Sequence, residues 1–207
     1  MKHLLAMTAL VLGLAAPAAQ AAVIDFVVLA AGNEGNIEGN TYSYGALDVT
    51  VTSSHFAYLD DLSGGKPGGL GVCQSDAGCA GNPDDNVGPG EWVTLTFNML
   101  VKLSGFSFND GNHNSLSSSL ETLLIGVPGF GTAPYSFAFV SSPGTVSSPL
   151  TAITFSYGGS NPSLFYLAGI TATPSQVPVP AGAPLLLAGL GAIGLMGWRK
   201  RKGAMPV

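Results

Sequence analysis

The residues best spaced to hold a cation lie between Asn109 and Glu121. Asp110, Asn112 and Asn114 take positions 1, 3 and 5 of a twelve-residue loop, and Glu121 takes position 12. Oxygen donors at those intervals are the ligand pattern of an EF-hand-type Ca²⁺ loop. The pattern is imperfect. Ser115 stands where a glycine makes the sharp turn, Ser117 where an apolar residue packs, and the flanks read as strands rather than helices. The same run equally describes an asparagine-rich turn whose side chains cap their own backbone. Ca²⁺ is the one cofactor this spacing suggests.

A second acidic set is Asp60-Asp61 with Asp84-Asp85-Asn86. Both pairs suit solvated turns as well as oxygen ligation. A fold-back of the glycine-rich segment between them would bring them together. Signals for catalysis are poor. Past the N-terminal segment the only histidines are His55 and His113, and His113 reads as an exposed imidazole within a polar turn. The chain contains no G-x-S-x-G elbow. Twelve acids could supply a glycosidase pair by chance alone. No catalytic residue is assigned, and a non-enzymatic protein is expected. Tyr42, Tyr44, Phe56, Tyr58 and Trp92 could stack on a sugar, but at strand spacing such aromatics more often pack across strands.

The elements that must position these groups read as β-structure. No amphipathic helix is evident between Ala22 and Gln176. Short β-rich runs separated by turn residues cover 23–29, 41–52 (with a bend at Gly45), 92–103, 105–108, 121–127, 134–140, 152–157 and 164–173. In Trp92–Leu103, Val93, Leu95 and Phe97 alternate with Thr94 and Thr96, as in a strand with one buried face. Asn98 reads as the start of a turn or bulge. Ile153, Phe155 and Tyr157 alternate in the same way with Thr154 and Ser156. The fold class expected is all-β, a single antiparallel sandwich or jelly-roll-like domain. Residues 60–90 read as a long glycine-rich loop.

Both ends of the chain carry export signals. Lys2, the apolar run Leu4–Leu14 and the small-x-small site Ala19-Gln20-Ala21 describe a signal peptide, 1–21, cut by signal peptidase before Ala22. Export implies an oxidising compartment. Cys73 and Cys79 are therefore expected to pair, at a gain of about 2–3 kcal/mol from closing a short loop. Charge divides sharply. Between residues 22 and 176, Lys66 and Lys102 face all twelve acids, a net of −10, although the whole chain reads −5. Such a surface would repel phosphates, so a nucleic-acid partner is excluded.

The tail, 177–207, has three parts. Val177-Pro178-Val179-Pro180-Ala181 leads into an apolar stretch from Ala181 to Trp198, closed by Arg199-Lys200-Arg201-Lys202. As a helix the apolar stretch would reach about 27 Å, enough for a thin bilayer. Trp198 suits the interface, and the basic run suits the cytoplasmic side. Motif, span and basic stop together resemble the PEP-CTERM class of exported proteins, and most closely its Val-Pro-Leu-Pro-Ala subclass. Here Val179 replaces the leucine, and the glutamate of the parent Pro-Glu-Pro motif is missing. The resemblance implies an exosortase-like processing enzyme, an inner-membrane stage held by the C-terminal helix, and delivery to the cell surface or an exopolysaccharide-containing extracellular matrix. Gly68-Gly69-Leu70-Gly71-Val72-Cys73, Asp84-Asp85-Asn86 and Gly90-Glu91-Trp92 also resemble blocks in ectodomains of this class. The domain order expected is signal peptide 1–21, ectodomain 22–176 and sorting signal 177–207. The function expected is a non-enzymatic exported surface or matrix protein. A Ca²⁺-assisted carbohydrate-binding module and a secreted hydrolase are the alternatives.

Overall fold

A computed structural model describes residues 20–61, 66–75, 79, 85–116, 122–126, 135–138, 146–158 and 162–175. The expected signal peptide up to residue 19, the sorting motif 177–181, the span 181–198 and the basic stop 199–202 lie outside the described residues. Residues 19–175 form one compact unit.

The unit is nearly all β and antiparallel, as expected. Eleven strands belong to one continuous open sheet, in the order β2-β5-β6-β11-β7-β10-β8-β9, with β1 on β11, and β4 and β3 extending from β7. In chain order these are β1 (Ala22–Asp25), β2 (Gly35–Asn36), β3 (Thr41–Tyr44), β4 (Leu47–Ser53), β5 (Phe56–Asp60), β6 (Gly69–Cys73), β7 (Trp92–Asp110), β8 (Thr122–Gly126), β9 (Tyr135–Ala138), β10 (Val146–Ser156) and β11 (Phe165–Pro174).

Strand β7 organises the rest. Its alternation runs unbroken from Val93 through Leu95, Phe97, Val101 and Leu103, all buried. Asn98 lies within the strand, where Thr96 to Val101 on β7 faces only Ala152 to Leu150 on β10, so of the turn or bulge expected there the structure has the bulge. Asn98 accepts from Asp48 N at 3.0 Å and donates to Ala46 O at 3.1 Å, so it ties the β3–β4 hairpin to β7. That hairpin turns at Gly45, whose φ of 70° suits glycine. One end of β7 pairs with β4 and β10; the other pairs with β11.

Between those ends the alternation slips. Leu103 is buried and so is Phe108, five residues on. Partners Gly169↔Ser107 and Thr171↔Ser104 set three steps of β7 against two of β11, which is a β-bulge. Gly105 sits inside it at φ 61°. The bend that follows brings distant rings together. Phe155 pairs with Val93 in the ladder, yet its ring lies 5.9 Å from Phe106 and 5.8 Å from Phe108. A straight strand would separate residues 93 and 108 by roughly 50 Å. The sheet therefore folds back on itself over a single core.

Two expectations change. Phe26–Ala30 is a short helix, α1, rather than strand: Asp25 caps it by accepting from Val28 N at 3.0 Å, and Phe26 and Ala30 are buried. The glycine-rich run within the expected loop 60–90 is the fully buried strand β6, paired with β5 through all five residues. Glycine is needed there because a Cβ on Gly71 would lie 1.9 Å from Asp85 O. Gly71→Ala is therefore expected to lower stability by more than about 3 kcal/mol, as overpacking against rigid backbone does. Gly126→Ala meets only Thr154 Cβ at 3.7 Å and should leave the melting temperature nearly unchanged. Thermal unfolding of the two variants checks the contrast.

Candidate functional site: a buried carboxylate, tyrosine and histidine cluster

The close approach of β6 to the chain at Asp85 decides where the polar groups go. Val87 bridges Phe165 through backbone bonds in both directions, at 2.8 and 3.4 Å, and this holds residues 85–88 against β11. Asp85 and Asn86 are consequently buried. Asp60, the last residue of β5, is buried beside them. Tyr166, next along β11 from Phe165, is 1% exposed, and its hydroxyl donates to Asp85 Oδ1. The two acidic sets thus meet through one tyrosine, as a fold-back of the glycine-rich segment would require.

His113 completes the cluster. The polar turn carries it into the interior, so it is not the exposed imidazole expected: its side chain is 7% exposed. Its Nδ1 lies 2.6 Å from Lys66 O and its Nε2 2.8 Å from Asp60 Oδ2. The ring stands edge-on to Tyr166, with centroids 5.1 Å apart at 83°. Gly68 passes over the cluster, where a Cβ would lie 2.7 Å from Asp60 Oδ2, and Asn109 Nδ2 holds Gly68 O at 2.9 Å. At the rim, Tyr58 donates to Glu34 Oε1 at 3.1 Å.

Electrostatics follow from burial. Burial pushes the Asp60 carboxyl above the usual carboxylate range, opposed by His113 and by the Tyr166 hydroxyl. Burial likewise raises Asp85, opposed first by Tyr166. Tyr166 rises well above the ordinary phenol value through burial and then through its bond to Asp85. Tyr58 is pushed up to about 12 by burial and by Glu34.

Three of the four expected Ca²⁺ ligands lie at the end of β7 and in the turn that follows it. Asp110 Oδ1 accepts from Asn112 N at 2.8 Å and from Asn114 N at 2.9 Å, while Asp110 N donates to Asn114 O at 2.8 Å. That is the self-capping turn of the alternative reading. Asn114 Oδ1 faces Lys66 Nζ at 3.4 Å, and Glu121 lies outside the described residues. Among the described residues no three His, Cys, Asp or Glu side chains converge as metal ligands.

Cys73 and Cys79 form the expected disulfide, with Cα atoms 5.9 Å apart. Both are buried in a small cluster with Tyr58, and Phe56 packs against it. The aromatics considered as a sugar platform differ in packing, and Phe56 packs with Tyr58 by the disulfide. Tyr42 and Tyr44 pack against the main core, Tyr58 is buried, and Trp92 is exposed at the start of β7. Acid spacing alone signalled Asp60 and Asp85. Nothing in spacing pointed to Tyr166, which reads as one more aromatic in a buried strand.

Residues 176–202 match the PEP-CTERM protein-sorting motif. The chain therefore joins an all-β domain to a sorting signal of the kind carried by exported proteins that exosortase-type machinery processes. No curated protein matches the sequence.

The raised carboxyls set a pH dependence. A carboxyl whose folded value lies above its unfolded value stabilises fully below the unfolded value of about 3.9 and loses that contribution as pH rises through the folded one. Asp85→Asn removes the buried charge while its carbonyl still accepts from Tyr166. Its melting temperature should match or exceed that of the unaltered chain at neutral pH, and the difference should shrink towards pH 4 or so. Tyr166→Phe leaves the carboxylate without its donor and should cost about 1–3 kcal/mol at neutral pH, less in acid.

Proposed function

We propose that this chain is a non-enzymatic surface or extracellular-matrix protein of the Val-Pro-Leu-Pro-Ala subclass, delivered by signal peptide and sorted by exosortase cleavage. The match of residues 176–202 to the sorting motif carries the reading. Val177-Pro178-Val179-Pro180-Ala181 supports the subclass, because proline in such a run disfavours helix and suits an extended recognition motif. Arg199-Lys200-Arg201-Lys202 halts translocation, and Ala181–Trp198 parks the chain in the inner membrane while the enzyme acts. The domain is then released or attached outside, alongside exopolysaccharide.

The domain adds structural support: Tyr166 bonds to Asp85 and His113 lies against Asp60 inside the fold. Its disulfide suits an oxidising exterior. Strand β1 opens at Ala22, the residue expected to become the N-terminus. Strand β11 closes at Pro174, just before the motif. Both cuts would therefore spare the sheet.

Mass spectrometry of the mature protein from its host should find termini at Ala22 and close to Ala181. Replacing Pro178 and Pro180 by alanine should leave the uncut, membrane-held form to accumulate. Normal processing of that variant would overturn the assignment of the motif.

A further inference from the structure

Both ring nitrogens of His113 face oxygen acceptors. Nδ1 lies 2.6 Å from the Lys66 carbonyl, which can only accept, so Nδ1 carries its hydrogen. Nε2 lies 2.8 Å from Asp60 Oδ2. Asp60 Oδ2 is buried and makes no hydrogen bond among the described residues, so the imidazole is its close charged contact. With Nδ1 already protonated, the Nε2–Oδ2 contact is attractive only if one more proton lies between them. That proton can sit on the imidazole, giving an ion pair, or on the carboxyl, giving O–H···N. Without it, a lone pair faces a buried carboxylate.

We propose that His113 and Asp60 form a proton-operated latch, closing the 110–114 turn and the chain at 66–68 onto β5 and β11 while the shared proton is present and releasing them when it leaves. The backbone is arranged for this. His113 has a φ of 62°, a conformation costly for a residue with a Cβ, and the turn holds it through His113 N donating to Asp110 O at 2.9 Å. Lys66 and Gly68 are held at the same place from the other side. Gly68 N donates to Asp60 O at 3.0 Å, and a side chain at position 68 would displace Asp60 Oδ2. The groups around the ring are mostly acidic or able to become so. They are Asp60 and its neighbour Asp61 on the β5 side, Asp85 reached through Tyr166 on β11, Glu34 and Tyr58 behind Asp60, and Asp110 on the turn itself. Lys66 supplies the only nearby cation among the described residues, and its Nζ turns to Asn114 Oδ1. Loss of the proton therefore leaves excess negative charge buried at this point. A domain displayed outside the cell meets the pH of its surroundings directly, so the latch would report it.

Hydrogen exchange on the full chain in detergent tests this. Protection, corrected for intrinsic rates, is read at the amides of Asp110, Leu116 and Gly68, with Val51 as a distant control bonded to Asn40 O. Protection at the first three should fall about tenfold or more on going from mildly acidic to mildly alkaline pH, while Val51 stays constant. Asp60→Asn supplies an N–H to Nε2 without a titrating proton, so it should hold protection high at both ends of the range. His113→Gly keeps the left-handed backbone and removes both ring contacts, so it should leave protection low at both ends. Constant protection in the unaltered chain overturns the latch, as does a pH dependence that survives in either variant.

Discussion

Nineteen consecutive residues of β7 carry backbone donors and acceptors that must be satisfied along both edges, and this one strand fixes the positions of most others. It takes β4 and β10 at its start and β11 at its end. The bulge at Gly105 lets one strand serve two arms of a sheet that would otherwise run on flat. Because the bend sets Phe106 and Phe108 against Phe155, the core closes without a second, separate sheet. Phe165 then packs on Phe108 with centroids 5.7 Å apart, which seats β11 and hence Tyr166.

The polar cluster is a consequence of that closure. Once β11 lies between β6 and β7, the chain at Asp85 has to cross β6, and only glycine at position 71 leaves room for the crossing. The crossing buries a carboxylate, and a buried carboxylate requires a donor, which Tyr166 provides. Asp60 and His113 solve the same problem on the other side of the tyrosine. These residues form a connected set in which each member offsets the cost of burying the next, so the group behaves as a unit. The Cys73–Cys79 disulfide adjoins Tyr58 at the end of β6.

Legibility varied with how local each signal was. The strands of β7 and β10 could be read directly, because alternation of Val93, Leu95 and Phe97, or of Ile153 and Phe155, is a property of neighbouring residues. The disulfide followed from compartment and count. Strand β6 could not be read, since Gly69, Gly71 and their neighbours look like a loop until the backbone that packs against them is known. Helix α1 was hidden by Val27 and Val28, whose β preference is overridden by the Asp25 cap and the burial of Phe26 and Ala30. His113 looked exposed because its neighbours Gly111, Asn112 and Asn114 are polar; the direction of its ring depends on a turn conformation that composition does not reveal.

The sequence by itself determined an antiparallel all-β domain, its oxidised cysteine pair, its acidic charge and a C-terminal sorting motif, all of which are encoded in short runs of adjacent residues. Only the tertiary structure decided that Asp60, Asp85, His113 and Tyr166 share one buried site. They come from four separate stretches of chain, and the bend in β7 and the glycine gap in β6 are what bring those stretches within hydrogen-bonding distance.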